Sequence, residues 1–223
     1  MNWKIGTEAI TISKILDNLY EIKTRVVSMF LYKTDDSSIC FDTGFNEGSI
    51  KKEFDRLGFD PGDVKYVFLT HSDSDHTGGL NLFKNAEIYL STDEEQMIHK
   101  KTPRFFGFSY NRPINKAYAT LKGGDVIQAG ETKVTAIATP GHTPGSMSYL
   151  VNDSILVVGD ALTLRKGKVR RLTRLQLRSL ASMDLTIQQE SIKKLAKLRN
   201  ISVMLTGHSG FTTNFEHAMG NYV

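Results

Sequence analysis

Between Thr70 and Gly79 the chain reads Thr-His-Ser-Asp-Ser-Asp-His-Thr-Gly-Gly, placing two imidazoles and two carboxylates, His71, Asp73, Asp75 and His76, within six positions. The apolar run Tyr66-Val-Phe-Leu-Thr70 leads directly into them, so the cluster reads as the end of a strand. Burying four such groups costs several kcal/mol unless each has a partner, and a divalent cation satisfies all of them at once. A fold that accepts this segment must therefore deliver a strand end into a metal pocket and turn away behind it at Gly78-Gly79. The plainer alternative is a solvated loop rich in His and Asp, but such a loop needs neither the strand nor the turn.

Length and composition set the outer limits. With 223 residues and 40% hydrophobic content, the chain suits one domain over 1–223 and is short for two with a linker. Its 28 basic and 24 acidic residues leave a net charge of +4, mild enough to favour an anionic substrate without calling for nucleic acid. Cys40 is the one cysteine, which rules out an intrachain disulfide framework and suggests a buried thiol in a core strand. The opening Met1-Asn-Trp-Lys-Ile-Gly-Thr-Glu-Ala-Ile carries charges and no cleavage-type segment, and no run of about 18 apolar residues occurs anywhere. A soluble, cytoplasmic protein with no membrane span is expected.

Periodicity predicts strands over Ala9–Ser13, Leu19–Lys23, Val26–Tyr32 and Ser38–Phe41, followed by a helix over Glu47–Leu57 that stops at Gly58. After the His/Asp cluster come a short helix over Leu80–Phe83, a strand over Glu87–Leu90 and a helix over Thr92–His99 with a Thr-Asp-Glu-Glu start. Strands return at Val126–Gln128, Val134–Ala138, Met147–Val151 and Ile155–Val158. A helix over Asp184–Leu198 then carries Ile187, Ile192, Leu195 and Leu198, and a strand over Ile201–Leu205 closes the series. Two facing sheets with helices on the outer faces would bury such strands on both sides. The chain contains no tandem repeat and no low-complexity tract.

Three further segments each follow a predicted strand. Thr139-Pro-Gly-His142-Thr-Pro-Gly-Ser146 presents one histidine between two Pro-Gly steps, Val158-Gly-Asp160 ends an apolar run on a carboxylate, and Leu205-Thr-Gly-His208-Ser-Gly210 supplies another histidine. Singly, His142 could be a turn residue, Asp160 a helix cap and His208 a surface histidine. Together with His71–His76 they form a pattern that coincidence explains poorly. His99 and His217 have no motif around them and are assigned to the surface.

With these residues in view, the chain resembles the metallo-beta-lactamase superfamily, whose signature is H-x-H-x-D-H followed by separate His, Asp and His. The similarity runs from Asp42, in Phe41-Asp-Thr-Gly44, to His208. It implies a four-layer αββα sandwich, an α/β fold with two metal ions at one edge of the sheets. By that resemblance His71, Asp73 and His142 would hold the first ion, Asp75, His76 and His208 the second, and Asp160 would bridge them. Asp42 would support the site from behind, although a turn residue before Gly44 explains it as well.

Asp73 stands where the family most often has a second histidine. Zinc is the first expectation for an imidazole-rich set, but a carboxylate is harder than imidazole and shifts the balance toward iron or manganese. The same position is a glutamate in the flavodiiron proteins, which keeps open a diiron oxygen-binding or redox protein as the alternative. The leading expectation is a hydrolase whose two metals share a hydroxide that attacks an ester, thioester, lactone or related bond, with Asp75 orienting the nucleophile or passing a proton to the leaving group. Arg104, Phe105, Phe106, Phe108, Tyr110, Arg112 and Tyr118, in a segment expected to cover the site, and the basic stretch from Arg165 to Arg174 with Arg178, could grip a carboxylate or phosphate. No other cofactor and no nucleic-acid partner is expected, and a homodimer would be ordinary.

Overall fold

A computed structural model describes residues 11–24, 26–99, 101, 111, 113–170 and 182–222. Seven strands build the first sheet in chain order: β1 (Thr11–Leu16), β2 (Leu19–Thr24), β3 (Val27–Lys33), β4 (Ser38–Phe41), β5 (Tyr66–Phe68), β6 (Glu87–Ser91) and β7 (Ala119–Leu121). The early strands pair antiparallel through tight turns, whereas β4, β5, β6 and β7 run parallel. The second sheet draws on β8 (Val126–Ala129), β9 (Thr132–Ala138), β10 (Met147–Val151) and β11 (Ile155–Gly159). A two-stranded ribbon, β12 (Leu164–Arg165) and β13 (Lys168–Val169), precedes its last members, β14 (Val203–Thr206) and β15 (Gly210–Thr212). The order across this sheet is β15-β14-β11-β10-β9-β8, with β11 and β14 parallel.

Strands buried on both faces explain the continuous apolar runs. In β3, Phe30 and Tyr32 point between the sheets while Met29 and Leu31 point outward under a helix. In β11, Ile155 and Val157 face inward, and Leu156 and Val158 face the opposite helical layer. The inter-sheet core centres on aromatic rings: Phe68 lies 5.0 Å from Tyr89 and 5.2 Å from Tyr149, centroid to centroid. The Tyr149 hydroxyl donates to the Leu69 carbonyl at 2.7 Å, fastening the second sheet to the strand end just before the His/Asp cluster.

Helix α1 (Glu47–Leu57) covers the first sheet with Ile50 and Phe54, one turn apart. Its ends follow the sequence signals: the Asn46 side chain accepts from the Ser49 amide, and Gly58 closes it at φ 69°. Two short helices follow, α2 (Ser74–Thr77) and α3 (Glu95–Ile98), the second entered through a 3-10 turn over Thr92–Glu94 that Ser91 caps, one residue before the expected start. Helix α4 (Leu185–Leu195) covers the second sheet behind the Asp184 cap, with α5 (Phe215–Met219) beside it. Helix, sheet, sheet and helix stack as the αββα sandwich expected from the resemblance.

Several elements depart from the sequence reading. The first strand continues to Leu16, and residues 9 and 10 lie outside the described residues. Ile187 is 47% exposed while Gln188, its polar neighbour, is buried. Strands β7 and β15 and helix α5 were not expected, because Ala119–Leu121 and Gly210–Thr212 are three residues each and show no period, and Phe215–Met219 is barely one turn. Cys40 is buried as expected, and burial pushes its thiol pKa well up. No helix among the described residues is long and apolar enough to cross a membrane.

Candidate metal centre

Each predicted site residue follows the C-terminal end of a strand, and all of these ends meet at one edge of the sandwich. The backbone seals that edge: the Met147 amide donates to the Thr70 carbonyl at 2.8 Å and the Ser28 amide to the Gly207 carbonyl at 2.7 Å. His71 and Asp73 leave β5, Asp75 and His76 ride on α2, His142 lies on the loop between β9 and β10, Asp160 follows β11, and His208 follows β14.

The seven side chains converge. Asp73 Oδ2 stands 3.4 Å from both His71 Nε2 and His142 Nε2. Asp75 Oδ2 lies 3.9 Å from His76 Nε2 and 3.5 Å from His208 Nε2. Asp160 sits between the two groups, with Oδ2 3.3 Å from His142 Nε2 and 3.0 Å from His208 Nε2, and Oδ1 3.5 Å from His76 Nε2. Two ligand atoms about 2.1 Å from one zinc ion at a tetrahedral angle stand about 3.4 Å apart, so the spacing suits donors that share a cation. His71 Nε2, His76 Nε2 and Asp160 Oδ1 are buried with no hydrogen-bond partner, an arrangement that costs free energy unless an ion completes it. Three sets of three, His71-Asp73-His142, His71-His76-Asp160 and Asp75-His76-His208, each bring their ligand atoms within 4.8 Å of one another.

The far side of each ring explains why Nε2 faces the centre. Asp42, buried at φ 57°, accepts the His76 Nδ1 proton on Oδ2 at 2.8 Å. The Thr70 hydroxyl donates to that same Oδ2 at 2.8 Å, leaving its lone pairs to accept from His71 Nδ1 at 3.0 Å. One carboxylate thus fixes the tautomers of two imidazoles, one of them through a threonine. His208 Nδ1 donates to the Val26 carbonyl at 2.7 Å, and His142 Nδ1 lies 3.5 Å from the Ser182 hydroxyl. Asp42 accordingly braces His76 directly and His71 through Thr70. Thr70 was missed, its one sequence signal being a hydroxyl immediately before the first histidine.

The electrostatics divide along the same lines. Burial, reinforced by the neighbouring His76, lowers the His71 pKa to about 4. Burial also disfavours a charged His76, but the Asp42, Asp160 and Asp75 carboxylates outweigh it and raise its pKa to about 9. Desolvation works against ionised Asp160 too, yet His76, His142 and His208 hold its carboxyl well below the usual range. His99 and His217 are exposed and outside the cluster, as expected.

Other predicted contacts are only partly within view. Arg104, Phe105, Phe106, Phe108, Tyr110 and Arg112 lie outside the described residues, as do positions 171–181 of the basic stretch. Tyr118 packs against the outer cluster of the first sheet. Arg165, Lys166 and Lys168 are exposed on the β12–β13 ribbon, which joins the His208 loop where the Leu164 amide donates to the Ser209 hydroxyl at 2.7 Å. Sequence reasoning also missed Gln188, whose Nε2 donates to the carbonyls of Asp160 at 3.0 Å and Ala161 at 2.9 Å and so steadies the bend that presents Asp160.

Residues 22–208 match the metallo-beta-lactamase superfamily, and the chain belongs to it. Among its relatives, a probable metallo-hydrolase of Methanocaldococcus jannaschii is 32% identical over 164 residues, 74% of this chain and 66% of that protein. An N-acyl homoserine lactonase of Agrobacterium fabrum is 33% identical over 170 residues, 68% of this chain and 60% of that protein. The chain thus spans slightly less than two thirds of the length of these relatives. Among solved structures, a subclass B3 metallo-beta-lactamase with an active-site glutamic acid superposes with a TM-score of 0.74 at 21% identity, covering 95% of this chain and 85% of its own, a likeness of fold.

Proposed function

We propose that the chain is a dinuclear metal-dependent hydrolase that opens an ester-type acyl bond, foremost a lactone, in a small anionic substrate. His71, Asp73 and His142 would hold one ion, Asp75, His76 and His208 the other, and Asp160 would bridge them. The observation that carries this reading is the set of buried, unpartnered atoms, His71 Nε2, His76 Nε2 and Asp160 Oδ1, turned toward one centre. Divalent ions bound there supply Lewis acidity toward a carbonyl oxygen and lower the pKa of a bound water from about 15.7 toward about 7. Zinc suits the imidazole-rich set, and the carboxylate of Asp73 also suits iron or manganese.

The protein's own residues have separate tasks. Asp42 and Thr70 keep both imidazoles of the 71–76 loop in the tautomer that leaves Nε2 available. Asp75, with a 25% exposed side chain, sits where substrate and water can reach it. It orients the attacking water and returns a proton to the leaving oxygen. Arg165, Lys166 and Lys168 on the adjoining ribbon supply positive charge for an anionic substrate. The lactone preference draws on the similarity to the N-acyl homoserine lactonase.

Protein purified without added ions should contain two zinc ions per chain by elemental analysis, should open lactones faster than it cleaves thioesters or phosphodiesters, and should open carboxylate-bearing lactones faster than neutral ones of the same ring. The double variant His71→Ala, His76→Ala should lose both metal and turnover. Metal-loaded protein that cleaves no acyl substrate above the buffer rate rejects the reading. Asp73 supports a second reading, a diiron oxygen-binding or redox protein; two irons per chain with a visible absorption band would favour it over hydrolysis.

A further inference from the structure

Glu94 is a fully buried acid that no step above uses. Among the described residues no lysine or arginine pairs with it, and its two oxygens accept from four donors instead. Oε1 accepts from the Ser72 amide at 2.9 Å and the Ser72 hydroxyl at 2.7 Å. Oε2 accepts from the Thr143 hydroxyl at 2.7 Å and the Gly145 amide at 3.2 Å. Ser72 stands between His71 and Asp73, and Thr143 directly follows His142. We propose that Glu94 is the positioning residue of the first metal site, tying together the two loops, 71 positions apart in sequence, that supply His71, Asp73 and His142.

Two further observations point the same way. The Pro144-Gly145 step is pressed against the Glu94 backbone, where a Cβ on residue 145 would collide with the Glu94 amide nitrogen, so the loop carrying His142 is seated on this residue as well as bonded to it. Asn111 extends the network: its Nδ2 donates to the Ser72 hydroxyl oxygen and, at 3.4 Å, to Asp73 Oδ1, and residues 73 and 111 form an isolated antiparallel bridge. Asp73 Oδ1 is thereby held while Oδ2 faces His71 and His142. A short carboxylate has little reach of its own, so its backbone must be placed for it, and the Glu94-Ser72-Asn111 chain does so. In the second triad the far ring nitrogens of His76 and His208 bond instead to Asp42 and to the Val26 carbonyl. Groups bonded behind metal ligands characteristically set affinity by about 10–100-fold, and here that influence falls on one site of the pair.

This inference rests on the two-metal reading, and its test separates the two. Zinc ions alone are titrated into chelator-stripped protein in two backgrounds, His208→Ala, which leaves the first site, and Asp73→Ala, which leaves the second. Adding Glu94→Gln should weaken binding at least about tenfold in the first background and less than about threefold in the second. Ser72→Ala and Thr143→Val each remove one donor and should show the same bias in smaller degree, with the melting temperature of the stripped protein unchanged; they carry the test if Glu94→Gln does not fold. Equal weakening in both backgrounds, or wild-type affinity in all three variants, overturns the role of Glu94 while leaving the hydrolase reading intact. Wild-type protein that takes up no zinc overturns both.

Discussion

The two triads of the centre are built from the same residue types and held in different ways. His71, Asp73 and His142 are all buried, with side chains 1%, 10% and 7% exposed, and lie beside the Glu94, Ser72 and Asn111 network. In the other group His76 is fully buried, but Asp75 and His208 have side chains 25% and 30% exposed. One half is thus a sealed, pre-formed cradle and the other a mouth. Rigid placement suits a ion-holding role, while accessible groups are needed where substrate and water must enter. Asp160, bonded toward histidines of both halves, is the hinge of the comparison.

The most severe way to break this contrast is Asp160→Ala. It removes the shared carboxylate, so both sites should lose zinc together and turnover should fall to the buffer level, as read by elemental analysis and lactone hydrolysis; retention of one full-affinity site would show that Asp160 serves only one half. Asp42→Asn comes next. Asparagine tolerates the positive φ of residue 42, yet its amide removes one of the oxygens that accept from His76 and Thr70. Affinity at the second site should fall about 10–100-fold, and that at the first less, because His71 feels the change only through Thr70. Calorimetric titration of Asp42→Asn in the His208→Ala and Asp73→Ala backgrounds distinguishes the two.

Stripping metal from the wild-type chain should cost less than either variant costs function, but it should be visible in stability. Each ion at about 100 times its dissociation constant contributes about 2.7 kcal/mol, so chelation of both should lower the melting temperature by about 10–20 °C for a chain of this size. A separate effect concerns the metal-free protein and pH. His76, raised to about 9 in the fold against an unfolded value near 6.5, stabilises fully below pH 6.5 and loses that contribution as pH rises through about 9. His71, lowered to about 4, contributes above pH 6.5 and loses its contribution as pH falls toward 4. The melting temperature of stripped protein should therefore peak near pH 6.5. His76→Asn should flatten the alkaline limb and His71→Asn the acid limb; a curve unmoved by either variant would show that these rings do not control it.

Much of this molecule could be read before any fold was known. Glu47–Leu57 carries its own cap, apolar face and glycine stop, and Ser38–Phe41 and Met147–Val151 are bounded by turn residues, so local signals alone mark their ends. The His/Asp residues of the centre announce themselves because their segments follow apolar runs and because together they form a pattern that their separate, simpler uses do not explain. Glu94, Ser72 and Asn111 gave no such signal. An acid in the first turn of a helix, a serine between two ligands and an asparagine in an aperiodic segment all have ordinary local explanations, and only their mutual contacts distinguish them. Ile187 and Gln188 show the same limit from the other side: helical period favours the isoleucine for burial, but the carbonyls of Asp160 and Ala161 draw in the glutamine.

What the amino-acid order determined was the supply of chemistry: strands apolar on both faces, loops at their ends bearing imidazole and carboxylate, and glycines where the chain must turn sharply. Those properties are local, set by the periodicity of burial and by the free energy of burying charge. Tertiary structure decided which oxygen each histidine leans on, which carboxylate stands between the halves and which half is open to solvent. Those choices depend on the approach of segments far apart in the chain, where differences of an ångström separate a hydrogen bond from a contact and no periodicity records the distance.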